Sequence, residues 1–197
     1  MAEHYFSDDP SGPHRPRTVR FRVDGHDYAL SSDAGVFSAD RLDPGTGVLL
    51  RAVPDSAGAT VLDLGCGYGP ITCVVARRNP TATVWAVDVN ARARDLTRAN
   101  ADALGVGDRV HVSAPDEVPA GVVFDEIWSN PPVRIGKQAL RDLLTTWLAR
   151  LHPDGVAWLV VARNLGSDSL ARWLGEEGYT CTRHTSVRGY RVLTVRF

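Results

Sequence analysis

Two short clusters hold residue types whose spacing suits chemistry. The first is Asp63-Leu64-Gly65-Cys66-Gly67-Tyr68-Gly69, an acid two residues ahead of a Gly-x-Gly-x-Gly loop. Glycines admit positive φ and let a ligand approach the backbone. A helix that starts after such a loop offers unsatisfied N–H groups. A dinucleotide loop reads Gly-x-Gly-x-x-Gly and seats a pyrophosphate; this spacing differs, and an acid beside it would repel one. A ligand with an ammonium and a carboxylate fits better: Asp63 suits the ammonium and the loop N–H groups suit the carboxylate. The second cluster is Ser129-Asn130-Pro131-Pro132. Two prolines fix φ twice and remove two donors. The side-chain oxygen of Asn130 and the carbonyl of Pro131 remain as acceptors. Together they would grip both hydrogens of a planar NH2 group and aim its nitrogen. The competing reading is a rigid turn from strand to helix.

A third feature is Val84-Trp85-Ala86-Val87-Asp88-Val89-Asn90. A carboxylate at a strand tip accepts from both hydroxyls of a ribose, each charge-assisted bond contributing roughly 1.5–3 kcal/mol. Asp88 or Asn90 would equally cap the next helix; the two roles coexist if Asn90 caps and Asp88 binds.

The elements that must position these residues follow from periodicity. Residues 18–23 alternate as a half-buried strand, Asp24-Gly25 signals a hairpin, and 26–30 return. A loop leads to a short helix over 47–52 that ends near Pro54. Strands are predicted at 60–64, 83–89, 109–113, 122–129 and 156–162, and helices at 70–78, 91–104, 136–151 and 167–177. Strands 180–186 and 190–197 close the chain around Val187-Arg188-Gly189. Alternating strands and helices imply an α/β doubly wound, mostly parallel sheet with helices on both faces. The closing pair implies an antiparallel hairpin at one edge, and the N-terminal hairpin is an extension. One domain is expected over 1–197, with an arm, hairpin and covering loop over 1–52 and a core over 53–197.

Bulk properties narrow the classes. A chain of 197 residues buries about 70% of its unfolded surface and needs no staples. No apolar run approaches roughly 18 residues, so no membrane span is expected. The polar start, 1–13, has no apolar stretch of a secretory signal, which favours the cytoplasm. Cys66, Cys73 and Cys181 are odd in number and lack metal-type spacing, and the six histidines are scattered, so no metal is expected. The net charge of −1 marks no general polyanion binder. Basic stretches at His14, Arg15, Arg17, Arg20, Arg22 and at Arg183, His184, Arg188, Arg191, Arg196 read as solvated strand faces or as phosphate contacts.

These clusters, with His4-Tyr5-Phe6-Ser7, Gly35-Val36-Phe37-Ser38, Leu42-Asp43-Pro44-Gly45-Thr46, Val133-Arg134-Ile135-Gly136-Lys137, Asn164 to Leu170 and Gly189 to Leu193, resemble the class I methyltransferases that use S-adenosylmethionine (SAM). The resemblance extends over nearly the whole chain. It is to the small-domain branch that includes small-subunit ribosomal RNA guanine-N2 methyltransferases. It implies a Rossmann-like sheet and SAM as cofactor. Asp63, Gly65, Cys66, Gly67 and Gly69 would line its methionine end, Asp88 and Val89 its ribose, and Phe37, Thr46 and Asn130 the rest of the pocket. Asn130, Pro131 and Pro132 would be catalytic, and Arg134, Lys137, Tyr190 and Arg191 would meet the substrate. The implied partner is RNA, either ribosomal RNA or a ribosomal assembly intermediate.

Three departures from the family pattern stand out. Ala114 occupies the usual place of the acid that receives adenine, with Asp116 two residues on. Val133 replaces the aromatic that often follows Asn-Pro-Pro, so Phe37, Tyr5 or Tyr190 would have to stack on the base. The second, degenerate domain that precedes this one in some rRNA enzymes is not expected from these 197 residues. Adenine N6 and a protein glutamine amide are competing acceptors. A SAM-binding module without transfer activity and a dinucleotide oxidoreductase are competing classes.

Overall fold

The computed structural model describes residues 13–53 and 59–197. His4 to Ser7, Tyr5 included, and Pro54 lie outside the described residues. The elements run β1 (Arg17–Val23), β2 (His26–Ser32), α1 (Pro44–Ala52), β3 (Thr60–Leu64), α2 (Pro70–Arg78), β4 (Thr83–Val87) and α3 (Ala91–Ala103). They continue with β5 (Val110–Ser113), β6 (Phe124–Ser129), α4 (Lys137–Leu148), β7 (Leu151–Ala162), α5 (Ser167–Glu176), β8 (Thr180–Val187) and β9 (Tyr190–Arg196).

Seven strands form one sheet in the order β5-β4-β3-β6-β7-β9-β8, all running the same way except β9, which is antiparallel to both β7 and β8. The expected doubly wound sheet with an antiparallel edge is therefore present. Strand order reverses between β3 and β6, and ligands of such sheets settle beyond the strand ends at that point. The central strands β3, β6 and β7 are buried on both faces, which explains their nearly continuous apolar runs. Trp128, Trp158 and Val160 face the layer of α1 and α2, while Ile127, Leu159 and Val161 face α4 and α5. The separate hairpin β1–β2 pairs from Arg17↔Ser32 to Val23↔His26. Its Val19 and Leu30 pack with Tyr68, Cys73 and Ala93. Asn100 of α3 clamps it: the Asn100 side chain accepts from Ser31 N–H at 2.7 Å and donates to the Ser31 and Tyr68 carbonyls, each at 2.8 Å.

Three boundaries differ from expectation by three residues or more: the start of α1, the end of α4 and the start of β7. Helix α1 begins at Pro44, three residues before the expected 47, because Asp43 caps it and Pro44 takes the first position. Helix α4 ends at Leu148, not 151. Leu151 leaves to pair with Phe124 at the start of β7, and His152 to Asp154 bulge outward, exposed, before Val156 rejoins the ladder opposite Glu126. Arg150 secures the corner by donating to the Val122 carbonyl at 3.1 Å.

Candidate active site

The glycine loop joins β3 to α2. Gly65, Gly67 and Gly69 have φ of 79°, 58° and 89°, all in the left-handed region. At Gly69 a Cβ would also lie 3.1 Å from the Thr97 side chain, so the site demands glycine twice over. Much of the loop's donor capacity is spent internally. Gly65 and Cys66 donate to the Val87 carbonyl, Gly69 donates to the Cys66 carbonyl, and Gly67 donates to the Asp88 carboxylate at 2.9 Å. Tyr68 and Ile71, both at the cleft, keep N–H groups outside that network.

Asp63 is 1% exposed and sits beneath the loop. Its Oδ2 accepts from the Thr72 N–H at 2.9 Å and from the Thr72 hydroxyl at 2.5 Å, tying the first turn of α2 to β3. Its Oδ1 is buried with no partner among the described residues. Burial pushes the carboxyl up to about 7, against the two Thr72 bonds. An orphaned acceptor at this place suits the ammonium expected there. Asp88, at the end of β4, accepts from Gly67 and, through its other oxygen, from Asn90 N–H at 2.9 Å. Burial raises its pKa, partly offset by these bonds. Each oxygen retains a further lone pair. Asn90 caps α3 by accepting from Ala93 N–H at 3.1 Å. The cap and the carboxylate are thus separate residues. Cys66 is buried, and burial first of all pushes its thiol well up, so it is a packing residue of the loop and no nucleophile.

Asn130 follows β6, across the switch point from the loop. Its amide nitrogen donates to Asp43 Oδ1 at 2.7 Å and to Thr46 Oγ1 at 3.0 Å. Its amide oxygen has no partner among the described residues. Pro131 differs from expectation: its carbonyl already accepts from Val133 N–H at 2.8 Å. Pro132, with φ −75° and ψ 68°, forms the inverse γ-turn that makes this bond. One of the two carbonyl lone pairs remains for a ligand. Val133 packs against the α4–α5 core rather than over the cleft.

The cleft between loop and corner is lined by the expected Phe37, Thr46, Gly65, Cys66, Gly67 and Asn130. Its empty volume is about 350 Å³, counted out to its open mouth. Phe37 is 47% exposed at that mouth, followed by Ser38 at φ 53°. The sequence reading missed Asp43, which shares the lining; the Asp-Pro pair at a helix start was its signal. Asp63, Asp88, Val89, Pro131 and Pro132 surround the cleft without lining it. Tyr190 lays its ring on Gly45, where a Cβ would come within 2.9 Å, so it borders α1 at the same end of the sheet. Arg134 and Lys137 are exposed with no side-chain partner among the described residues. Arg191 is engaged within the fold: its guanidinium is bound to Asp168 and Ser167 and its side chain is 12% exposed, so it braces β9 on α5. On the N-terminal stretch, Arg17 pairs with Asp40, and Arg22 donates to the Gly25 carbonyl at 3.1 Å. Past β5, the Glu117 carboxylate takes the Ala114 N–H at 2.7 Å, and Asp116 is exposed. Among the described residues no helix is long and apolar enough to cross a membrane, and no acidic, His or Cys group could hold a metal.

Comparison with known proteins gives the same geometry a lineage. Residues 27–194 match the sequence model of the methyltransferase small domain. The YbxB protein of Bacillus subtilis is 34% identical over 181 residues, covering 89% of each chain. The ribosomal RNA large subunit methyltransferase G of Streptomyces avermitilis is 40% identical over 148 residues, which cover 70% of this chain and 38% of that protein. The structure of the T. thermophilus 16S rRNA N2 G1207 methyltransferase (RsmC), in complex with AdoMet and guanosine, superposes with a TM-score of 0.80 at 27% identity. It covers 93% of this chain and 51% of that one. The chain therefore spans about half or less of these two named rRNA methyltransferases. A glycine loop over an orphaned carboxylate, facing a held Asn-Pro-Pro corner across the switch point, coincides with a family match over most of the sequence: the chain belongs to the methyltransferase small domain family.

Proposed function

We propose that this protein is a SAM-dependent N-methyltransferase of RNA whose target is the exocyclic amine of guanine, N2, in ribosomal RNA. The observation that carries the reading is the Asn130 amide, held by its nitrogen so that its oxygen is left to the cleft beside the glycine loop. The printed functions of the Streptomyces and T. thermophilus relatives support the substrate class.

SAM supplies a methyl group already activated on a sulfonium. Asp63, with its unpaired oxygen, Gly65, Cys66, Gly67 and Gly69 would hold the amino-acid end. Asp88 and Val89 would hold the ribose, with Phe37, Thr46 and Asn130 lining the remainder. The target base leaves its stack at a cost of a few kcal/mol. Asn130 Oδ1 and the free lone pair of the Pro131 carbonyl accept the two amine hydrogens, and Pro132 sets the turn that aims them. Orientation accounts for most of the gain. The same two acceptors stabilise the positive charge that develops on nitrogen, and the surplus proton passes to solvent without a strong base. Phe37 and Tyr190 are the aromatics placed to cover the base. Arg134 and Lys137 meet phosphates, joined by exposed Arg163 and Arg188 at the ends of β7 and β8. Ribosomal RNA or an assembly intermediate is the partner, with 53–197 as core and 1–52 covering it.

The test is Asn130→Ala. Transfer to RNA should fall at least about a hundredfold, with RNA binding and melting temperature retained. Full activity in that variant would overturn the positioning role.

A further inference from the structure

Asp43 does more than start a helix. Its Oδ1 accepts from Thr46 N–H at 2.9 Å, which is the ordinary duty of an N-cap, and Ser, Thr or Asn would serve equally. The same oxygen also reaches Asn130, 87 residues further on, and accepts from its Nδ2 at 2.7 Å. Thr46 Oγ1 takes the second amide hydrogen at 3.0 Å. A carboxylate has no proton to give, so the amide atom facing it must be the NH2. Both donors of Asn130 are thereby used on the α1 side, and its oxygen points away from them with no partner among the described residues.

We propose that Asp43 is a positioning residue for transfer: its carboxylate fixes the Asn130 amide and strengthens the oxygen that Asn130 offers to the target amine. This rests on the function proposed above and adds a residue and a mechanism to it. A charged acceptor on the amide NH2 draws its hydrogens and, through amide resonance, shifts electron density to the oxygen. Charge-assisted bonds are roughly twice as strong as neutral ones, and linked hydrogen bonds polarise one another. The target nitrogen is neutral before transfer and positive during it. A more negative acceptor therefore favours the transition state over the ground state, which is what raises turnover. The local sequence serves this duty. Pro44 presets the first helical turn after Asp43, and Thr46, 3% exposed, is locked in the second acceptor's place. Gly45 between them lets the Tyr190 ring approach the segment closely. One helix start thus holds the amide and seats an aromatic beside it.

Asp43→Asn is the decisive variant, because it keeps size, cap and acceptor and removes only charge. The proposal expects kcat to fall about ten- to a hundredfold, with SAM affinity, the KM for RNA and the melting temperature near wild type. In an Asn130→Ala background the same change should cost nothing further, since its route is gone. Asp43→Ala should lose both cap and turnover. If Asp43→Asn turns over like wild type while Asp43→Ala is slow, Asp43 is only a cap and the proposal fails. It also fails if the Asp43→Asn loss is fully additive with Asn130→Ala. Should wild type methylate a peptide glutamine and not RNA, the RNA reading falls, while Asp43→Asn on that acceptor still decides the positioning role. No transfer to any NH2 acceptor would overturn both.

Discussion

Burial pushes the Asp63 carboxyl up to about 7, far above the value of an unfolded chain. The folded, ligand-free protein therefore prefers the protonated form. Its stability from this group is full at acid pH, declines as pH rises from about 4 to about 7, and is level above that. A cationic ligand group that reaches Oδ1 has the opposite preference, since it binds the carboxylate. SAM affinity should thus climb between about pH 5 and 7 and flatten beyond, and Asp63→Asn should abolish the climb. Calorimetry across that range decides it; parallel profiles for wild type and variant would exclude the ion pair. At this scale the sequence was informative wherever the neighbours were local. The acid-plus-glycine spacing and Asn-Pro-Pro are contiguous, so their types and order could be read directly. Asp43 escaped because its second partner is 87 residues away. The bracing of Arg191 escaped because Asp168, which neutralises it, comes from α5. The engaged Pro131 carbonyl escaped because proline fixes φ at Pro132 but leaves its ψ free.

Elements were legible where one period ran unbroken. β3 and α2 coincide with expectation because an apolar run and a glycine loop bound them on each side. The end of α4 was not, since Leu151 is apolar and in helical phase but gains more by burial beside Phe124. The polar attachment of the hairpin was invisible too, because it comes from distant residues, Asn100 within α3 and Arg78 of α2, which binds Asp24. Asn100→Ala leaves the Ser31 and Tyr68 backbone groups without their partner. The expected cost is roughly 2–3 kcal/mol, read as a lower urea midpoint with faster amide exchange in β1–β2. An unchanged midpoint would mean that the remaining contacts, apolar packing and the Arg78–Asp24 pair, hold the hairpin without Asn100.

For the whole molecule, a net charge of −1 hides a division. At the strand ends around the cleft, the β3–β5 half carries Asp88, Asp116 and Glu117, with Asp63 buried beneath the loop and Arg94 bonded to the Asp88 and Val89 carbonyls. Arg134, Lys137, Arg163 and Arg188 are exposed on the β6–β9 half. Arg163 N–H donates to the Gly189 carbonyl at 2.8 Å, which places the β7 end against the β8–β9 turn. Only the sheet order brings those cations together; in the sequence they are scattered over 55 positions, 134–188. A cationic cofactor on the acidic half and a phosphate chain on the basic half are mutually compatible, and Asn130 stands at the border. The most direct measurement is nucleoside mass spectrometry of ribosomal RNA, free and in subunit particles, after incubation with isotope-labelled SAM. The account predicts label in N2-methylguanosine; label in N6-methyladenosine, in protein alone, or nowhere would contradict it.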